Sequence, residues 1–183
     1  MISHEHRFIF IQINKTGGTS IRHALLPNSG RENIHQFAFY YKKNYPKSFR
    51  NYFKFTFVRN PWDKVVSQYE FRKPRSRFPI GNTSDMSFEQ FINNPVGRKL
   101  QNQLDWITIN GEIEVDFIGR HEYLQEDFNV VCDYLSFEPI TLPVYNKTDH
   151  EHYSTYYNED TKAIVAELFA KDIEYFGYKF GKI

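Results

Sequence analysis

The sequence predicts an α/β fold with a mainly parallel central sheet flanked by helices. Three observations carry this: short apolar runs dense in β-branched and aromatic residues, a turn signal after each, and a helix-like pattern after each turn. The first run, 7–13 (RFIFIQI), is too short for a typical helix and reads as a buried strand. Gly17-Gly18 make the turn, and a helix over 20–26 ends at Pro27. The second run is 54–58 (KFTFV); Asn60 then stands as N-cap with Pro61 at the first helical position, and Val65, Val66 and Tyr69 share a face. Ser87-Phe88-Glu89-Gln90 has the spacing of a capping box. A third strand, 115–118, leads into a helix over 122–135 with Leu124, Phe128, Val131 and Leu135 at helical spacing. A last helix spans 159–175, with Ile164, Val165, Leu168 and Phe169 on its apolar side.

The 183 residues suit one domain, 1–183, without repeats or a linker. At this size a core forms without a disulfide or metal staple, and the one cysteine, Cys132, excludes an internal disulfide and any cysteine-cluster metal site. Apolar content of 40% and charge of 25% exclude a disordered chain, and no apolar run reaches the length of a membrane span. The first seven residues are polar rather than a signal peptide, so a cytoplasmic protein is expected. The 18 Phe, 13 Tyr and 2 Trp are read chiefly as core.

The net charge of +1 conceals a strong asymmetry. Up to residue 80 there are 15 basic and 4 acidic side chains, and after it 8 basic and 18 acidic. A positive field concentrated in this way suits an anionic ligand, with separately solvated surfaces as the alternative. Overall neutrality argues against a dedicated nucleic-acid binder.

Two motifs lie where ligands bind such sheets, at the carboxyl ends of strands. In Asn14-Lys15-Thr16-Gly17-Gly18-Thr19-Ser20 a strand runs through a glycine pair into a helix, so backbone N–H groups and a helix N-terminus converge on an oxyanion. Lys15 adds a full charge, and Thr16, Thr19 and Ser20 add hydroxyls. The nucleoside-triphosphate loop has its lysine after the glycines; here it precedes them. In the second motif Arg59 ends a strand and Ser67 follows two helical turns later, a guanidinium fork and a hydroxyl for a phosphate. An Arg59–Asp63 pair with Ser67 in the core is the structural alternative.

Taken in this order, the motifs resemble the sulfotransferases that use 3′-phosphoadenosine 5′-phosphosulfate (PAPS), most closely the carbohydrate (heparan sulfate- and chondroitin-like) branch. Segments 53–62, Val115 to Arg120 with Glu122 and Leu124, and 175–178 also read like family landmarks. The resemblance implies a P-loop-like three-layer fold and sulfonyl transfer from PAPS to a hydroxyl of a glycan acceptor, in a bacterial member of the family. It implies that Lys15 and the backbone from Thr16 to Ser20 hold the 5′-phosphosulfate, and that Arg59 and Ser67 hold the 3′-phosphate. Lys147, in Asn146-Lys147-Thr148, matches a late loop that approaches the nucleotide. His35 falls where related enzymes place a catalytic base, with Glu32 as its rival; neutral histidine accepts a proton near neutrality. A sulfonyl group carries less charge than a phosphoryl group, so no metal is required.

Other residues have plainer readings. His4 and His6 are assigned to an exposed amino-terminal segment, His23 to the first helix, and His150-Glu151-His152 lacks further metal ligands. Arg72, Lys73, Arg75 and Arg77 form a basic run suited to an acidic acceptor or to solvent. Gln103, Asp105 and Trp106 suit an acceptor cleft or packing, and Asp116 suits orienting nearby backbone. Two rivals stand beside the transferase: a small P-loop kinase, against which the lysine–glycine order counts, and a non-catalytic nucleotide- or glycan-binding module.

Overall fold

Aromatic residues build the sheet. In the computed structural model, which describes residues 1–28, 34–73, 86–94, 101–145 and 151–182, strand β1 (Ile2–Ser3) pairs antiparallel with β2 (Phe8–Ile11). β2 runs parallel to β3 (Phe53–Val58), and β3 parallel to β6 (Phe117–Arg120), giving the order β1-β2-β3-β6. This is a mixed α/β architecture with a mainly parallel sheet. Every side chain of β2 is buried, as expected of a parallel strand covered on both faces. Phe10 stacks on Phe55 at 4.8 Å, and the Thr56 hydroxyl donates to the Ile11 carbonyl at 2.7 Å.

The described chain divides into two compact units, Met1–Arg59 with Gln103–Asn146, and Asn60–Asn102 with Lys147–Ile183. The first holds the sheet, α1 (Gly18–Leu25), α2 (Ala38–Asn44), α3 (Pro46–Asn51), α6 (Leu104–Ile107) and α7 (Leu124–Leu135). Ile21 and Leu25 of α1, and Phe128, Val131 and Cys132 of α7, bury against Phe8, Phe10, Phe55 and Phe57. A short hairpin, β4 (Thr108–Ile109) with β5 (Glu112–Ile113), turns through Asn110 and Gly111 at φ 53° and 89°.

The second unit holds α4 (Pro61–Arg72), α5 (Phe88–Asn93), α8 (Glu159–Leu168) and α9 (Ala170–Phe176). Asn60 caps α4 by accepting from the Trp62 amide, and Ser87 and Gln90 form the expected capping box. The Trp62 indole donates to the Lys162 carbonyl at 3.1 Å, tying α4 to α8.

Three expectations change. The helix over 159–175 is two helices, because Phe169 leaves helical backbone (φ −114°, ψ 24°) and buries its ring completely. The third strand starts two residues later than expected; Asp116 stays outside it, where its carboxylate accepts from the Lys54 amide at 2.7 Å and from Lys54 Nζ at 2.8 Å. The amino-terminal segment is not wholly exposed: Ile2 and Ser3 form the edge strand, Met1 is buried, and the His6 ring lies 4.7 Å from that of Phe137. Among the described residues no helix is long and apolar enough to cross a membrane, and no group of three or more His, Cys, Asp or Glu side chains is placed to hold a metal.

Candidate active site

The glycine motif forms a cradle at the carboxyl end of β2. Lys15 (φ 66°) and Gly17 (φ 82°) both take left-handed backbone, which reverses the chain into α1. Gly17 is the N-cap and has no side-chain cap, and the first turn of α1 carries no acidic residue, so its N–H groups and partial positive charge suit an anion. Neither glycine leaves room for a side chain. A Cβ at Gly17 would lie 2.7 Å from a Leu124 methyl, and one at Gly18 would lie 2.5 Å from Gln12 Cγ. Thr16 is fully buried and its hydroxyl donates to the Ile13 carbonyl at 3.0 Å, so its proton is committed to the loop. Ser20 accepts from the Tyr145 amide at 3.3 Å, which leaves its own proton to donate; Thr19 is half-buried.

Arg59, at the end of β3, reaches this cradle. Its Nη1 donates to the Lys15 carbonyl at 3.2 Å, joining the two motifs directly. Gln103 brackets the Arg59 backbone: its Oε1 accepts from the Arg59 amide at 2.8 Å and its Nε2 donates to the Arg59 carbonyl at 2.9 Å. Fully buried, Gln103 therefore positions the arginine rather than lining a cleft, while Asp105 is exposed.

His35 also joins the cradle. Its backbone is left-handed (φ 60°), and Nδ1 lies 2.9 Å from the Gln12 carbonyl. A carbonyl only accepts, so Nδ1 carries the proton and Nε2 presents a lone pair. Desolvation lowers the pKa of His35 from the usual 6.5, against the Gln12 hydrogen bond, which raises it. The imidazole is thus a neutral base near neutrality although part of the residue remains open to solvent. The Trp106 ring stands 6.4 Å away at 85°.

One neighbour was missed from the sequence. The His121 ring, just beyond β6, lies 3.5 Å from where a Gly17 Cβ would be, beside Leu124. Its signal was its place directly after a strand parallel to the two that carry the motifs. Ser67 is buried on α4 in the second unit, where Arg72 is half-buried against the Phe91 ring and Lys73 is exposed. Glu32, Arg75, Arg77 and Lys147 lie outside the described residues.

Comparison with known proteins bears on the family of the chain. The carbohydrate sulfotransferase 10 of Xenopus laevis is 22% identical over an alignment covering 97% of this chain and 66% of the relative. That of Homo sapiens is 24% identical, covering 96% and 65%. An uncharacterized protein of Archaeoglobus fulgidus is 39% identical over 83 residues, covering 44% of this chain and 65% of that one. The chain thus spans slightly under two thirds of the length of these relatives. No solved structure matches it at a significant level. The model of the sulfotransferase family matches residues 1–179, nearly the whole sequence, and the chain belongs to that family.

Proposed function

We propose that this protein transfers a sulfonyl group from PAPS to a carbohydrate hydroxyl, on a P-loop-like three-layer scaffold. The observation that carries the reading is the Arg59–Lys15 hydrogen bond at the head of α1, which gathers two cations and a glycine-lined helix start at one sheet end. Family membership implies the donor, and the names of the relatives point to a sugar acceptor.

The roles follow from side-chain chemistry. The backbone from Thr16 to Ser20 holds the 5′-phosphosulfate by N–H donation, in a cradle too tight for any side chain at Gly17 or Gly18. Arg59 offers its fork to the 3′-phosphate, and Gln103 keeps its backbone in place for this. Ser67 and Lys147 are assigned to the nucleotide by the family pattern alone. The acceptor hydroxyl attacks sulfur as the bond from sulfur to the bridging phosphate oxygen breaks. Nε2 of His35 takes the hydroxyl proton, and 3′-phosphoadenosine 5′-phosphate leaves with the electron pair. Lys15 stabilises the charge that grows on that phosphate. None of these steps calls on a metal.

Labelled PAPS offered with neutral sugars, amino sugars and uronic acids tests the reading. Label should move to one acceptor class without added metal, and His35→Ala should lower that rate by about 100-fold or more while nucleotide binding persists. Nucleotide binding with no transfer to any class would instead support a non-catalytic module.

A further inference from the structure

Among the described residues His35 is held by one hydrogen bond, from Nδ1 to the Gln12 carbonyl. The imidazole can still turn about its Cβ–Cγ bond, and turning breaks that hydrogen bond and swings Nε2 away from any fixed reacting atom. The structure supplies a stop. Trp106, on α6, stands perpendicular to the imidazole at 6.4 Å, and its other neighbour, Phe37, stacks on it at 4.5 Å with the planes only 10° apart. Phe37 is the N-cap of α2 and lies two residues from His35, so base and seat belong to the same stretch of chain. Trp106 is 5% exposed, which leaves its ring little freedom to move.

We infer that Trp106, seated on Phe37, is a positioning residue that holds the His35 ring in one plane and thereby in its Nδ1–H tautomer. Its use to catalysis rests on the proposed role of His35 as base. What the site needs from Trp106 is a flat, rigid ring; its indole N–H is buried without a hydrogen-bond partner among the described residues, so the polar atom takes no part. The strained left-handed backbone at His35 points the same way, since such a conformation persists only where its surroundings hold it.

Nitrogen-15 spectra of histidine-labelled protein, recorded above the His35 titration and assigned with His35→Ala, read the tautomer directly. Wild type should show His35 with Nδ1 protonated and Nε2 bare. Trp106→Leu should bring in the Nε2–H form and lower turnover by about 10- to 100-fold through misplacement of the base, with the Kd for 3′-phosphoadenosine 5′-phosphate unchanged. Trp106→Phe, which keeps a flat ring, should restore the Nδ1–H form. If Trp106→Leu does not fold, Phe37→Leu removes the seat and should show the same mixing. A wild-type mixture of tautomers, or an Nδ1–H form untouched by Trp106→Leu or by Phe37→Leu, overturns the inference. The base assignment fails separately: His35→Ala turning over at the wild-type rate would remove it and leave the positioning result standing.

Discussion

Lys15, Gly17 and His35 all take left-handed backbone, and two of them are not glycine. Non-glycine residues enter this region at a cost, so the fold holds Lys15 and His35 there against local preference. Gly18 is confined instead by close approach: Gly18→Ala should cost about 1–3 kcal/mol of stability in denaturant titration, because Gln12 must be displaced to admit the methyl. Lys15→Ala should lower turnover by about 100-fold or more with a smaller loss of nucleotide affinity, since in the proposed reaction its charge matters most as the phosphate departs. For His35, a lowered pKa means that the neutral base survives into mildly acidic solution. The acid limb of the rate profile should therefore fall below the ordinary histidine value of 6.5, and a limb above that value would contradict the account.

At the scale of elements, α4 carries a feature unrelated to the site. Lys64 is fully buried, donates to the Gln101 carbonyl at 3.2 Å and lies 5.3 Å from the Phe169 ring. Desolvation brings its pKa down from 10.5 to about 8, against the opposing pull of Asp172. The folded lysine gives up its proton before the unfolded one does, so above pH 8 the unfolded chain binds more protons and stability rises with pH. Between pH 8 and about pH 9.5 the gain should be about 1–2 kcal/mol by urea unfolding, and Lys64→Met should abolish it. The elements also divide by how they were legible in the sequence. Those with local signals form where the signals stand: the Asn60-Pro61 start of α4, the Ser87 box and the periodic α7. The β4–β5 hairpin turns on Asn110-Gly111, a dipeptide that itself signals such a turn. Helices α2 and α3 have no clean apolar period, and their places depend on tertiary packing. The break at Phe169 likewise follows from burying one ring, which periodicity does not report. At the site, Lys15, the glycine pair and Arg59 were legible as motifs. The Arg59–Lys15 bond, the Gln103 bracket and the approach of His121 were not, because each joins residues distant in sequence.

At the scale of the whole molecule, the feature of composition that bears on the proposed function is the charge asymmetry. Positive charge concentrates in the first 80 residues, which carry Lys15 and Arg59. A doubly phosphorylated nucleotide should feel that field at long range, so raising salt from about 0.05 M to about 0.5 M should weaken its binding severalfold. The chain leaves the first unit directly after Arg59, so the arginine ends one unit and the cap of α4 begins the other. Calorimetric binding of 3′-phosphoadenosine 5′-phosphate beside 5′-AMP, without metal, tests the central claim most directly. The account predicts a strong preference for the bisphosphate that disappears in Arg59→Ala; equal binding of the two nucleotides, or binding of neither, would contradict it.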